Sequence, residues 1–281
     1  MGLVELKRFI LDGSYLELRQ AEKRLQLLKY QIREEQESLG LKRILWAETG
    51  VVGEFEIYKI YEYNYEKLIA YLHNVGILPL VTFIKSEDLS EEELEKIAHI
   101  SYQRKRYLRY TPTNNFKRKE NNTSFELNLE NISLPDKVSM WKENHNKFEQ
   151  LNAIWKYEKL RVLLAPELRK SKELSFEWGT FSLIEAQKIY RTDLIHGLLD
   201  EKTICSRVKV NLERIDEFIA KGFLKKFELS SVRKIVDIQR RYILMTLQKE
   251  KAKKEYWYSK LEKLSILSQR SAEGWESLYT D

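Results

Sequence analysis

The apolar positions of this chain change their period several times along its 281 residues. Near the start, positions Leu11, Ser14, Leu18, Ala21, Leu25, Leu28 and Ile32 alternate steps of three and four. That heptad-like seam predicts a helix opening at Ser14 and ending near Gly40. Such a seam serves a dimerising coiled coil or packs the helix on its own domain. From Leu41 to Tyr63 the pattern changes. The runs RILWAE and EFEIYKIYEY are rich in β-branched and aromatic residues around Gly50 and Gly53, which predicts a β-hairpin. Tyr65–Asn74 reads as a short helix stopped near Gly76. Ile77–Ile84 reads as an apolar strand, held to a sheet edge by Pro79, which has no N–H to give.

Ser90 opens a further helix, SEEELEKIAHISYQRKRYL, with acids in its first turn and cations in its last, as the helix dipole favours. Phe125, Leu127 and Leu129 alternate like one strand. Asp136 or Ser139 then starts a long helix reaching Leu164. Trp141, Phe148, Leu151, Ile154 and Trp155 lie along it at core-like spacing. RKSKELSFEWGT resembles a linker and sets a boundary near residue 172. Phe181–Leu199 reads as another amphipathic helix, and Ser231–Gln269 as one long helix with Ile243, Leu247 and Trp257 on one seam. Ten Gly, four Pro and 33% charged residues fit long helices better than a turn-rich fold. The expected architecture is mainly α with a small α/β N-terminal unit, and a helix-turn-helix followed by a long C-terminal helix. Its parts are an N-terminal domain over 1–171, the helix-turn-helix over 172–230 and the last helix over 231–281.

The helix-turn-helix expectation rests on Ile204–Leu224. Apolar residues there give two short faces that can close on each other. Asn211 suits the N-cap of the second helix, and Gly222 suits its stop. The run resembles the helix-turn-helix of MerR-type regulators. Val210-Asn211 matches that family's turn, and Gly222-Phe223-Leu224 matches its helix end. Ser230-Ser231 would cap a third helix carrying Val232, Ile235 and Ile238. The resemblance covers Thr203–Arg240 and implies DNA binding through the second helix and dimerisation through a long helix behind it. A second register, starting from FSLIEAQKIY, loosely resembles excisionase-type domains. The matching second helix departs from the family in charge. It carries Glu213, Asp216 and Glu217, with only Arg214 and Lys221 basic.

Charge adds a second candidate site. The net charge is +6 and the isoelectric point about 9.0, which suits a polyanionic partner. Arg104, Lys105, Arg106, Arg109, Lys117, Arg118 and Lys119 occur without an acid among them, interleaved with Tyr102, Tyr107, Tyr110 and Phe116. Cations neutralise phosphates while aromatic faces stack on bases. With Lys209, Asn211, Arg214 and Lys221 of the motif, these residues form the candidate DNA-binding set. Catalytic patterns are missing. His73, His99, His145 and His196 are scattered, Cys205 is alone, and there is no HExxH, GxSxG or phosphate loop. No segment approaches the roughly 18 apolar residues of a membrane span, and the first residues lack the form of a secretory signal. The sequence therefore predicts a cytoplasmic, non-enzymatic, homo-oligomeric DNA-binding protein without metal or cofactor. Its alternative is a helical adaptor whose helix-turn-helix docks other proteins.

Overall fold

A computed structural model of the chain describes residues 2–114, 129, 131–259 and 262. Its strands form three three-stranded sheets, with orders β1-β2-β9, β7-β3-β8 and β4-β6-β5. This corrects the mainly helical architecture expected from sequence. The chain gathers into two compact units, each discontinuous in sequence. Unit 1 holds residues 1–56, 106–185 and 241–250; unit 2 holds 57–105, 186–240 and 251–281.

In unit 1, α1 (Gly2–Leu11) and α2 (Ser14–Ser38) are separated by Gly13, whose φ of 93° suits a residue without Cβ. The α2 seam buries Leu18, Ala21, Leu28 and Ile32 inside its own unit, where α2 packs on α6 (Leu134–Leu163). Lys137 on α6 is nearly buried and pairs with Glu35 on α2. The expected hairpin forms from β1 (Arg43–Trp46) and β2 (Val51–Tyr63), paired antiparallel from Arg43↔Glu54 to Trp46↔Val51. Buried Gln36 ties α2 to this sheet. Its amide donates to the Gly53 carbonyl at 3.1 Å, and its carbonyl accepts the Tyr242 hydroxyl at 2.9 Å. The other sheet contains β4 (Arg106–Pro112), β5 (Glu173–Phe176) and β6 (Gly179–Glu185). Its inner face supplies Leu108 and Phe181 to a core shared with Leu6, Ile10 and Val162.

Several predicted elements are replaced. The long C-terminal helix is a strand first, β9 (Arg233–Thr246), and among the described residues helix follows from 247 to 259 and at 262. Val232, Ile235 and Ile238 suggested a three-residue period. Tyr242, Leu244 and Thr246 are buried at a period of two, and β-branched residues favour the strand. The Ser90 helix is only α5 (Glu91–Lys96), opened by a Ser90–Glu93 capping box, and the cationic end of the prediction becomes β4. Ile77–Ile84 is not one strand. It divides into α4 (Leu78–Val81), where Pro79 sits in the first turn, and β3 (Thr82–Lys85). The linker-like stretch holds the end of α7 (Pro166–Ser171), all of β5 and the start of β6, which pairs with β5 as a hairpin. The predicted Phe181–Leu199 helix is β6, β7 (Ile189–Arg191) and α8 (Thr192–Ile195), followed by α9 (Glu201–Arg207). Cross-strand partners far away in sequence overrode its helical spacing. The predicted strand at Phe125–Leu129 lies outside the described residues, save Leu129.

Unit 2 contains a duplication. One copy runs from the end of β2 through Asn64, α3 (Tyr65–Asn74), Gly76 and Val81 into β3. The other runs from β8 (Lys209–Val210) through Asn211, α10 (Leu212–Ala220), Gly222 and Val232 into β9. Both Asn side chains cap their helix, accepting from Lys67 N–H at 3.0 Å and from Arg214 N–H at 3.4 Å. Both glycines take positive φ, 77° and 80°. Both helices end with the same bond, Ile77 N–H to Leu72 O and Phe223 N–H to Phe218 O, each 3.0 Å. That is the Schellman closure, in which a left-handed Gly lets the next amide reach back to the helix. The copies interlock reciprocally. Asn64 N–H donates to Val232 O, and Asn211 N–H donates to Val81 O, each at 2.9 Å. The entry strand of each pairs with the exit strand of the other, β8 with β3 and β2 with β9. Reciprocity of this kind is the mark of a two-fold relation, here within one chain. Leu68, Leu72, Ile215 and Phe218 close the two helices over a common core.

Candidate nucleic-acid interface

The sheet β7-β3-β8 belongs to unit 2 and has one buried face. Thr82, Ile84 and Tyr190 point into the core. Because side chains alternate along a strand, their neighbours point outward. Register then fixes two outward rows. Arg191, Phe83 and Lys209 lie side by side in one. Gln103, Ile189 and Lys85 lie in the next, since Gln103 bridges to Ile189 at the sheet edge. Adjacent strands sit about 4.8 Å apart, so each row spans roughly 10 Å. Tyr102, next to outward Gln103, falls on the Tyr190 side of this edge. The Lys188 ammonium lies 4.7 Å from its ring centre, and Tyr190 packs edge-on at 5.9 Å. Arg104 donates to the Ala186 carbonyl at 3.0 Å, and Lys105 is exposed beside it.

Carboxylates temper this face. Lys209 pairs with Asp88 at 3.1 Å and Lys85 with Glu87 at 3.3 Å. Arg191 grips Asp193 with two nitrogens, one contact at 3.0 Å. The hydrogen bond to Asp193, then its charge, raises the Arg191 pKa further above its ordinary value. Three outward cations (Lys85, Arg191 and Lys209) thus each meet one acid. The Lys85–Glu87 pair is exposed and contributes about 0–1 kcal/mol, so a phosphate can replace its carboxylate at little cost, whereas Asp88 and Asp193 are only 25% and 20% exposed.

The sequence-predicted residues separate into three groups. Lys209 lies in an outward row, while Arg104 and Lys105 follow Gln103 at the sheet edge, with Arg104 on the Tyr190 side. Asn211, Arg214 and Lys221 are engaged locally. Asn211 caps α10, Arg214 donates to Leu80 O at 2.8 Å, and Lys221 lies 5.5 Å from the centre of the Phe218 ring. The Val210-Asn211 turn of the expected motif begins inside a strand, with Val210 paired to Thr82. The outward residues of α10 are Glu213, Asp216 and Ala220, so that helix presents acid rather than cations. In unit 1, Arg106 pairs with Glu185 at 2.9 Å and Arg109 is exposed on β4. Lys117, Arg118 and Lys119 lie outside the described residues. Phe83, Lys85, Lys188 and Arg191 went unselected in the sequence. They are isolated in local charge, and only the period-two alternation of TFIK and IYR marks them.

Other chemistry is limited among the described residues. No group of three or more His, Cys, Asp or Glu could hold a metal ion. Burial, then the nearby Glu201 charge, raises the Cys205 thiol pKa, which keeps it protonated and poorly nucleophilic. A cleft of about 480 Å³ lies where Asn64 meets Val232, with Arg233 and Lys234 on its wall. Arg233 donates to the Tyr63 hydroxyl, and Lys234 pairs with Glu62. No described helix is long and apolar enough to cross a membrane. In comparison with known proteins, the chain matches no family model, no curated sequence and no solved structure.

Proposed function

We propose that this protein binds DNA through the outer face of β7-β3-β8 and the adjoining Tyr102–Lys105 segment, as a factor in regulation, replication or segregation. The observation that supports this reading is the row Arg191–Phe83–Lys209, with Lys85 in the next row and Lys105 just past Gln103 at the sheet edge. A ring between two cations offers stacking together with phosphate contact. The reading moves DNA contact away from α10, whose outward acids repel phosphates, and gives Arg214 and Asn211 structural roles.

Fluorescence anisotropy with labelled random duplex and single-stranded DNA tests it. Three to five phosphate contacts predict a log–log salt slope of about −3 to −5 on duplex. Lys209→Ala should weaken binding to all sequences and make the slope shallower by about 1. Arg104→Ala with Lys105→Ala should do the same. Phe83→Ala should reduce single-strand binding most, because stacking needs an exposed base. Absence of binding at low salt, or binding indifferent to all of these substitutions, rejects the proposal.

A further inference from the structure

The seam of α2 closes inside unit 1, but α6 carries a second apolar strip that does not. Ile154, Tyr157, Leu160 and Leu164 are 49%, 60%, 60% and 66% exposed. Steps of three, three and four keep them on one side of the helix. Trp141 and Val162 are buried on another side, so this strip points away from the core. Leu164 is the C-cap and still has a φ of −87°, so the strip runs for about 15 Å at about 1.5 Å per residue. Exposed Gln150 and Ala153 extend it without charge. Single exposed apolar side chains are ordinary, whereas a contiguous group marks an interaction surface.

We propose that this strip is the contact between two copies of the chain, with their α6 helices antiparallel across a two-fold axis. Shape and charge select a second copy as the occupant. An axis centred between Glu158 and Lys159 puts Tyr157 opposite Leu160 of the second copy, and Leu164 opposite Ala153. Each contact then occurs twice, as a two-fold interface requires, and the large Leu164 faces the smallest residue of the strip. The strip has no charge with which to select an acidic or basic partner, and none to repel its own copy. Arg161 borders it but turns onto its own helix. It meets Glu158 at 3.2 Å and lies 5.7 Å from the centre of the Tyr157 ring. Lys156 of the second copy therefore comes opposite a cation that Glu158 already neutralises. Area agrees. The four exposed side chains leave on the order of 500 Å² of apolar surface, so pairing removes on the order of 1,000 Å² in all, where specific interfaces begin. For an interface of that size a dissociation constant of about 1–100 μM is expected.

Sedimentation velocity on the full chain, from about 0.5 to about 200 μM, should show monomer giving way to dimer. Leu160→Asp should weaken association by about 10-fold or more, because pairing would bury an unpaired carboxylate. Its urea midpoint should stay near that of wild type, since the side chain is exposed in the monomer. Phe227→Asp, at a 69% exposed position of unit 2, should leave association unchanged. Cross-linking in a Cys205→Ser background reads the register. Under mild oxidation, Ala153→Cys should join Leu164→Cys in a mixture of the two variants. Neither should join itself, because like positions lie about 16 Å apart along the paired helices, beyond disulfide reach. A monomer at every concentration overturns the proposal. So does a dimer that survives Leu160→Asp, or one weakened equally by Phe227→Asp, because it uses another surface. Ala153→Cys joining itself as readily as Leu164→Cys overturns the antiparallel register. A dimer that forms only when DNA is added overturns the proposal too, and makes DNA the bridge.

Discussion

The positions most sensitive to small changes are those where backbone and side chain meet without spare room. A Cβ on Gly53 would lie 2.4 Å from both Gln36 Oε1 and the Tyr242 hydroxyl. Gly53→Ala should therefore cost about 1–3 kcal/mol, as overpacking does, and lower the urea midpoint. A midpoint unchanged from wild type would mean that the Gln36–Tyr242 link yields without cost. Burial raises the Tyr242 phenol well above its ordinary pKa, so it remains a donor to Gln36 through the neutral range. His145 gives a pH signature. Its ring stacks on Trp141 at 4.8 Å, and burial is the first cause holding its pKa below 6.5; Glu149 opposes the shift, while Lys249 and Lys142 add to it. The unfolded chain accepts a proton that the folded chain resists. This contribution to stability is full above the unfolded value of about 6.5 and is lost as pH falls from there towards the folded value. Urea midpoints at pH 7.5 and 5.5 should separate more for wild type than for His145→Gln. Equal separations would refute the assignment.

At the scale of elements, the duplication makes a paired prediction. Asn64→Ala and Asn211→Ala each remove a helix cap and leave the reciprocal backbone bonds to Val232 and Val81 in place. Each should cost about 1 kcal/mol. If one proves neutral and the other costly, the two copies do not carry load alike. The copies were readable in the sequence as Asn-x-Glu-Lys-Leu before Gly76 and Asn-x-Glu-Arg-Ile before Gly222. Their different settings hide the likeness: the second resembles a helix-turn-helix, and the first reads as a short helix stopped near Gly76. Capping chemistry was legible at Ser90, Asn211 and Gly222, which act locally, whereas α6 is capped by Ser133 and not by Asp136 or Ser139, and Ser230-Ser231 lead into a strand. Strands were less legible. Ile235 and Ile238 fit a helical period as well as a strand, and only pairing with β2 decides between them. The basic face was half legible. Arg104, Lys105 and Lys209 carry local signals, whereas Lys85, Lys188 and Arg191 acquire meaning from register across β3 and β7.

At the scale of the whole molecule, each compact unit is assembled from three stretches of chain, and composition carries no mark of that. The boundaries within the strands fall after Glu56 in β2 and after Arg240 in β9. RKSKELSFEWGT looks like a linker because it is charged and short of apolar residues. Yet Leu174 and Trp178, both within that run, reach the same core as Leu6 and Phe181. A fragment of residues 1–171 makes the consequence measurable. It would retain α1, α2, β1, β4 and α6, but lack β5, β6 and the part of β9 in unit 1. Leu108 and Val162 would lose Phe181 and Trp178 from their core, and Gln36 would lose the Tyr242 hydroxyl. Losing large side chains from a core costs about 3–5 kcal/mol each, against total stabilities of about 5–15 kcal/mol for a domain. The fragment should retain helical circular dichroism from α2 and α6, yet show no cooperative urea transition and rapid amide exchange at Val51 and Phe55. A sharp transition in the fragment would mean that its core closes without the later strands, and unit 1 would then begin and end earlier in the chain than its contacts indicate.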